Sequence, residues 1–380
     1  MDRPAVRIEG IVTPVTAVTA RAPAKVNLQL AVGPARANGY HDVVTVYHAV
    51  SLFDEVTVTP AAHDGVTVTG EGAGSVPADG SNLAARAVAA LLEAVGPGAK
   101  DSPGLAIRIS KRIPVAAGLA GGSADAAAAL VACNELWRTG LSQAELSELA
   151  ATIGSDVAFG LVGGTAIGVG RGERVTPALA TGTYHWVLAF ASGGLSTADV
   201  YAACDRIRTT QAGLDGPRAA APRAGGADGQ DPATGRPAGK LGGVATRAGA
   251  PVKPPARPRA VRSSAAGPPA LDNRLMAALR SGNPAEVAPL LANDLQQAAI
   301  SLKPELRRTL AAGTEHGALA AIVSGSGPTC AYLARDARHA AALAAAIAGA
   351  GVCRTVVHVA GPVPGAVVTG IAPEPGEPPA

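Results

Sequence analysis

The stretch 114-PVAAGLAGGSADA-126 carries the strongest structural signal in the sequence. It follows a run that predicts a strand over 105–109 and leads into a run that predicts a helix over 123–137. Glycine tolerates left-handed backbone and lets a ligand approach the main chain closely. The unpaired N–H groups at a helix start, together with the helix dipole, favour phosphate oxygens. The stretch therefore predicts an anion-binding loop; the alternative is a turn of small residues in an alanine-rich chain.

The loop belongs to neither of the common nucleotide-binding patterns. It contains no Gly-Lys-Ser/Thr and no G-x-G-x-x-G. Ser123 lies where the helix begins, so its hydroxyl is expected either to cap the helix or to reach a metal ion.

Two further glycine-bearing stretches are weaker signals when taken alone. The first is 323-VSGSGPT-329 and the second is 168-GVGRGE-173. A tight turn between strands explains the first equally well, and the second is a weaker signal still.

Two charged residues lie within apolar stretches. Lys25 stands in 22-APAKVNL-28 at the head of a predicted strand, and Asp156 stands in 154-GSDVAFG-160. A lone lysine is usually solvated, and an aspartate after Gly-Ser usually caps a helix. A catalytic role is the alternative for each.

The periodicity predicts a mixed α+β chain. Strands are predicted over 24–32, 43–50, 55–59, 66–69, 105–109, 163–169, 185–191, 319–323, 330–334 and 354–359. Helices are predicted over 82–95, 123–137, from Ser142 onward, and over 271–280, 285–291, 303–313 and 337–348. Ser142 and Glu145 form a capping box.

Composition excludes several classes of protein. The chain has 380 residues, 48% of them hydrophobic, which predicts about two domains. A net charge of +3 does not suggest a nucleic-acid-binding protein. No transmembrane run or signal segment is evident. Four cysteines without C-x-x-C spacing favour a reducing cytoplasm over a disulfide framework or a zinc site.

Residues 212–269 differ from the rest of the chain. They hold 10 Pro and 11 Gly in 58 residues, with no aromatic residue. Such a segment buries too little apolar surface to offset its ordering entropy, so we predict a disordered insertion. A basic tether for RNA, a membrane or a partner is the alternative, because nine Lys or Arg face three Asp.

The combination of 23-PAKVNL-28, 114–125 and 324-SGSGPT-329 resembles the GHMP kinase superfamily. With 38-NGYH-41, 154-GSDV-157 and 170-GRGE-173, the chain is more narrowly similar to the branch that phosphorylates a cytidyl-diphospho-methylerythritol substrate. The resemblance covers roughly 20–205 and 270–360. It implies ATP-dependent phosphorylation of the substrate's 2-hydroxyl in the non-mevalonate isoprenoid pathway, with Mg²⁺ as a second cofactor.

The resemblance also implies a fold and domain limits. The fold has an N-terminal domain like ribosomal protein S5 domain 2 and a ferredoxin-like C-terminal domain, with the active site between them. We expect an extension over 1–19, an ATP-binding domain over 20–180, a C-terminal domain over 181–211 and 270–372, and the insertion over 212–269. A cytoplasmic monomer or homodimer is expected, acting on a small molecule and binding neither nucleic acid nor membrane.

Roles for individual residues follow from the same resemblance. Asp156 is expected to be the base and Lys25 its neighbour. Substrate contacts are expected from Asn27, Tyr40, His41, Thr197 and Tyr201, the two tyrosines and His41 recognising the cytosine. ATP contacts are expected from Asn82, Pro114, Val115, Ala116, Ala117, Gly118, Leu119, Ala120, Gly121, Gly122, Ser123 and Ala124, with Ser123 near Mg²⁺.

The chain departs from the family pattern at a few places. Ser155 and Ala158 replace the alanine and proline usual beside the aspartate, and the insertion follows Tyr201 closely. Another GHMP small-molecule kinase, such as a mevalonate or homoserine kinase, and a non-catalytic nucleotide sensor remain the competing hypotheses. The pairing of Lys25 with Asp156 disfavours a sensor, and Tyr40-His41 disfavours the other kinases.

Overall fold

Two β-sheets with helices packed against them form the part of the chain that the structure describes. The structure is a computed structural model that describes residues 15–37, 39–96, 104–214 and 268–373. The strands are β1 (Val15–Ala35), β2 (His41–Ala61), β3 (Gly65–Gly70), β4 (Gly104–Lys111), β5 (Thr165–Gly170), β6 (Arg174–Pro177), β7 (Tyr184–Phe190), β8 (Ala292–Asn293), β9 (Ala320–Val323), β10 (Cys330–Ala334), β11 (Thr355–Gly361) and β12 (Val367–Pro373). The helices are α1 (Leu83–Val95), α2 (Gly121–Leu136), α3 (Gln143–Ile153), α4 (Ser155–Val162), α5 (Thr197–Leu214), α6 (Asn273–Ser281), α7 (Pro284–Val287), α8 (Gln296–Leu302), α9 (Leu306–Glu315) and α10 (Ala337–Gly349).

The first sheet has the central order β12-β1-β2-β4-β3, and β5 and β6 extend it from β2 while β8 pairs with β1. The second sheet has the order β11-β7-β10-β9. Sheet and helix thus occur together in both halves, and the predicted α+β organisation is confirmed. Among the described helices, none is both long and apolar enough to span a bilayer.

Strand β1 is covered on both faces, and this allows polar residues to alternate with apolar ones along it. Val26 and Leu28 pack in the main core beside α2. Lys25 and Asn27 point to the other face, as the strand period requires, and are also buried. A register shift against β2 falls between Pro23 and Ala24, a bulge position where a strand tolerates proline. The fold therefore holds the lysine and its neighbouring amide on a buried polar face.

Helix α2 is buried along most of its length, from Ala124 to Leu130 without a break. Alanine makes this possible, because it combines high helix propensity with a side chain small enough for close packing. The next helix, α3, begins with the predicted capping box of Ser142 and Glu145, which is confirmed.

Several predicted element limits were wrong, and proline explains two of them. The helix predicted over 285–291 is only one α-turn followed by a 3₁₀ turn at Ala288–Leu290, since Pro289 cannot donate a helical hydrogen bond. The helix predicted over 303–313 begins at Leu306, after Pro304. The elements that the sequence pattern did not predict are α4, α5, α8, β6, β8 and β12.

The ends of the predicted segments also shift. β1 begins at Val15, so residues 15–19 of the predicted extension are strand, paired with β12 and β2. β12 lies at the edge of the first sheet, although its residues were assigned to the second domain. α5 runs to Leu214, three residues into the predicted insertion. Residues 1–14, Asn38 of the predicted turn, and 215–267 of the insertion lie outside the described residues.

A buried ion cluster ties β2 and β4 to the start of α2. The Lys111 ammonium donates to Asp54 and, at 2.6 Å, to Asp125. The other oxygen of Asp54 accepts the main-chain N–H groups of Arg112 at 2.6 Å and Ile113 at 2.8 Å. Burial, with the Asp54 charge, raises the pKa of Asp125 to about 7, against the opposing effect of Lys111. Asp54 thereby fixes the chain just before the glycine loop at 114–123.

Removing Asp54 should destabilise the protein strongly. Asp54→Ala leaves two main-chain N–H groups, one of them buried, without their acceptor and leaves the buried Lys111 with one carboxylate. We therefore expect a loss of about 3–5 kcal/mol in the free energy of unfolding. Equilibrium urea unfolding measures it. Glu148→Ala, an exposed change on α3, should stay within about 0.5 kcal/mol of wild type. Equal stabilities for the two variants would contradict the anchoring role.

Candidate active site

A cavity of about 590 Å³ lies between the two halves of the described chain. Its lining comes from the polar face of β1, from the loop at 114–123, from the start of α4 and from the turn after β9. The lining includes most of the residues that the sequence singled out: Lys25, Asn27, Asn82, Pro114, Val115, Ala116, Ala117, Gly118, Ala120, Gly121, Gly122, Ser123, Asp156, Thr197 and Tyr201. Leu119 and Ala124 belong instead to the main apolar core.

The loop at 114–123 has the backbone of an anion site. Ala116, Gly118 and Ala120 have φ of 52°, 74° and 63°, in the left-handed region. Such alternation turns successive N–H groups toward one side. Helix α2 then starts at Gly121 with no side-chain cap from Ala120. The first N–H groups of a helix have no intrahelical acceptor, so those of the first turn are available to a ligand in the cavity.

The second glycine stretch, 323–329, contacts the glycine loop at 114–123 directly. The carbonyl oxygen of Gly118 accepts from Ser324 Oγ at 3.2 Å, and the Thr329 N–H donates to Ala117 O at 3.4 Å. A Cβ on Gly118 would overlap the Ser324 carbonyl oxygen, and one on Gly325 would lie 2.9 Å from Lys25 Nζ. The stretch is therefore more than a strand-to-strand turn: it closes over the lysine and the loop.

Lys25 and Asp156 come together in this cavity. Lys25 Nζ donates to Asn27 Oδ1 at 2.6 Å and to Gly118 O at 3.0 Å, and lies 3.8 Å from Asp156 Oδ2. Burial lowers the pKa of Lys25, and the negative charge of Asp156 opposes that shift. Asn27 in turn donates to Thr45 Oγ1 at 2.8 Å, so its carbonyl oxygen is held toward the lysine.

Tyr47 is a site residue that sequence reasoning missed. Its hydroxyl donates to Asp156 Oδ1 at 2.9 Å, and its ring stacks on Phe159 with centroids 4.7 Å apart. Burial and the Asp156 charge raise the pKa of Tyr47 well above its ordinary value, so it remains a neutral donor. A Cβ at Gly168 or Gly172 would collide with this tyrosine. The glycines of the third stretch, 168–172, thus make room for it.

A second cavity of about 560 Å³ adjoins the first and is lined by aromatic residues. It contains Tyr40, His41 and Tyr201; the rings of His41 and Tyr201 are 4.9 Å apart. His41 Nε2 lies 3.0 Å from Asp205 Oδ1, a contact that the sequence did not reveal because Asp205 lies on the unpredicted helix α5.

Two of the predicted site residues, Asn82 and Thr197, line the first cavity and also form hydrogen bonds within the protein. Asn82 caps α1: its Oδ1 accepts from Ala84 N at 2.8 Å and its Nδ2 donates to Pro77 O at 2.7 Å. Thr197 Oγ1 lies 3.0 Å from Ser326 Oγ, which links α5 to the second glycine stretch. Thr197 is therefore held against the second glycine stretch at the edge of the cavity.

Comparisons with known proteins show the family to which the chain belongs. Family models described as "GHMP kinases N terminal domain" and "GHMP kinases C terminal" match residues 82–166 and 275–353. The chain is 50% identical over 351 residues to a 4-diphosphocytidyl-2-C-methyl-D-erythritol kinase of Nocardia farcinica, covering 92% of this chain and 96% of that protein. It is 46% identical over 361 residues to the enzyme so named in Thermobifida fusca, covering 93% and 98%. The chain belongs to the 4-diphosphocytidyl-2-C-methyl-D-erythritol kinase family of the GHMP kinases.

Solved structures of two kinases have a fold similar to that of this chain. A crystal structure of 4-(cytidine 5'-diphospho)-2C-methyl-D-erythritol kinase matches with a TM-score of 0.62 at 28% identity, covering 90% of this chain and 98% of that one. An L. major mevalonate kinase in complex with R-mevalonate matches with the same TM-score at 14% identity, covering 92% and 97%. The second likeness concerns the fold alone.

The glycine loop is the candidate nucleotide site of this kinase, so a methyl group at Gly118 should weaken ATP binding. Gly118→Ala forces a non-glycine residue into left-handed backbone, which alone costs about 1–2 kcal/mol, and separates the two loops. We expect ATP affinity to fall at least about tenfold, measured by isothermal titration calorimetry. Gly349→Ala is the control, because a Cβ there meets nothing within 4 Å at the end of α10. Unchanged ATP affinity in Gly118→Ala would show that the loop does not hold the nucleotide.

Proposed function

We propose that this protein transfers the γ-phosphoryl group of ATP to the 2-hydroxyl of 4-diphosphocytidyl-2-C-methyl-D-erythritol, in the non-mevalonate pathway to isoprenoid precursors. The observation that carries the proposal is the position of Asp156: it lines the cavity of the glycine loop, and its neighbour Ser155 lines both that cavity and the aromatic one. A phosphoryl donor and a nucleoside-bearing acceptor need two adjoining cavities with a base between them.

Asp156 is the proposed general base. Tyr47 engages Oδ1, so Oδ2 is left to face the acceptor. In the transfer step Asp156 accepts the proton of the 2-hydroxyl while the hydroxyl oxygen forms a bond to the γ-phosphorus. The bond between that phosphorus and the β–γ bridging oxygen breaks, and ADP leaves.

Lys25 supplies positive charge beside the reacting oxygen. Its ammonium is held by Asn27 and the Gly118 carbonyl, and it stands 3.8 Å from Asp156. Because this buried ammonium is already held by its partners, it can stabilise the developing negative charge on the acceptor oxygen without first having to move. We propose that Asn27 keeps the lysine in place and contacts the acceptor.

The aromatic cavity is the proposed cytosine site. Tyr40 and Tyr201 offer ring faces for stacking, and His41 offers a ring nitrogen, with Asp205 holding the other side of the imidazole. Thr197 lines both cavities and is proposed to contact the acceptor between its ends.

Mg²⁺ is proposed to enter with ATP. The described residues contain no cluster of three or more His, Cys, Asp or Glu that holds a metal by itself. Mg²⁺ in kinase sites takes most of its ligands from phosphate oxygens and waters, so a single protein hydroxyl fits the requirement. Ser123, in the first turn of α2 and in the cavity lining, would supply it. When bound, the ion neutralises phosphate charge.

We also propose a cytoplasmic location, supported by four free thiols at Cys133, Cys204, Cys330 and Cys353.

Asp156→Asn should remove catalysis and spare nucleotide binding. The amide cannot accept the proton, so kcat on the cytidyl substrate should fall about 10²- to 10⁴-fold, while the Kd for ATP stays within about twofold. The measurement is a coupled ADP-release assay, with Glu148→Gln on the exposed face of α3 as control. Near-normal turnover of the asparagine variant would disprove the base assignment. Transfer by wild type to mevalonate or homoserine, with none to the cytidyl substrate, would disprove the proposed acceptor.

The pH profile should reveal Lys25. Its ammonium loses a proton below the ordinary 10.5, because burial lowers the pKa. Log kcat/KM, which reports the free enzyme, should therefore fall at alkaline pH below that value. Lys25→Arg keeps the charge, so the alkaline fall below pH 10.5 should disappear whatever the rate at neutral pH. An identical alkaline fall in the arginine variant would assign it to another group.

A further inference from the structure

The two cavities share five described lining residues: Val43, Ser155, Arg171, Thr197 and Tyr201. Arg171 is the charged member of this set. Its position at the junction is not explained by the roles assigned to the glycine loop, to the base or to the aromatic rings.

The backbone around Arg171 presents the guanidinium to the junction. Gly170 and Gly172, with φ of 81° and 102°, form a tight turn, and the Arg171 N–H donates to Glu173 Oε2 at 2.6 Å. The guanidinium carbon lies 5.4 Å from the Tyr40 ring centroid, a cation–π distance. Arg171 Nε lies 4.0 Å from Glu173 Oε1, beyond hydrogen-bond length.

The guanidinium therefore retains donors for a ligand. Among the hydrogen bonds within the described ranges, those of Arg171 involve its main chain and not its guanidinium. The other cations in the first cavity are engaged: Lys25 by Asn27 and Gly118 O, and Lys111 by Asp54 and Asp125. The Arg171 side chain is 43% exposed, so its guanidinium remains accessible to a ligand in the cavity.

We propose that Arg171 binds the diphosphate of the acceptor and makes the site selective for a nucleoside diphosphate over a free nucleoside. This inference rests on the proposed function. An acceptor with its base in the aromatic cavity and its alcohol at Asp156 must place the intervening diphosphate at the junction. A planar guanidinium matches two phosphate oxygens with parallel N–H donors.

The test compares four ligands on four proteins. Isothermal titration calorimetry gives the Kd of cytidine, CMP, CDP and ATP for wild type, Arg171→Gln, Arg171→Lys and the control Arg174→Gln. Wild type should bind CDP more tightly than cytidine. Arg171→Gln should lose about ten- to hundredfold in CDP affinity, the usual range for a charge-assisted hydrogen bond, while its cytidine affinity stays within twofold. Arg171→Lys should recover part of the loss, since it keeps the charge but not the fork.

Arg174→Gln is the matched control: the residue is exposed on β6 and lies outside both cavity linings. Equal losses for cytidine and CDP in Arg171→Gln would overturn the inference, because they would mean that Arg171 acts through the Tyr40 ring. A fall in ATP affinity would overturn it in favour of the donor phosphates, and an unchanged preference for CDP would overturn it outright. Wild type that binds neither cytidine nor CDP would overturn the proposed function as well.

Discussion

The carbonyl oxygen of Gly118 is the point at which the site is assembled. It accepts from Lys25 Nζ on β1 and from Ser324 Oγ on the turn after β9, so one acceptor joins the glycine loop, the lysine and the second half of the chain. Only glycine permits this meeting, since a Cβ at 118 would overlap the Ser324 carbonyl. These contacts within the protein hold the proposed phosphate loop in place, which would limit the reorganisation that binding and transfer require.

Two buried lysines near the candidate active site each contact several oxygen atoms. Lys111 lies between Asp54 and Asp125, and Lys25 lies between a carbonyl, an amide and Asp156. Each lysine therefore has several oxygen partners, which a buried ammonium needs because burial without partners disfavours its charge. The first cluster fixes the strand end that leads into the loop. The second holds the charge that we propose for the chemistry.

Sequence patterns predicted the features formed by contiguous residues and missed those formed by contacts between residues far apart in the chain. The loop at 114–123 is recognisable because strand, glycines and helix are contiguous in the chain. Lys25 and Asp156 stand out as charges in apolar runs, but only the family resemblance gave them catalytic roles. Tyr47 and Asp205 carry no such signal: each matters only through a partner more than a hundred residues away, Asp156 and His41. Helix α5 has polar and small residues without a strong apolar stripe, so periodicity did not reveal it. β12 is defined by pairing with β1 across almost the whole chain.

The distance between Lys25 Nζ and Asp156 Oδ2 bears on how the acceptor is recognised. At 3.8 Å the pair is too long for a hydrogen bond, although both groups are held by other partners: the lysine by Asn27 and Gly118, the carboxylate by Tyr47. In the proposed mechanism an alcohol seated beside them would satisfy both, donating its proton to Oδ2 and accepting from the ammonium. The same two contacts would strengthen as the proton moves and the oxygen gains charge, so they would favour the transition state over the bound substrate. A gap between two opposite charges is thus the feature that makes this pair suited to activating a hydroxyl.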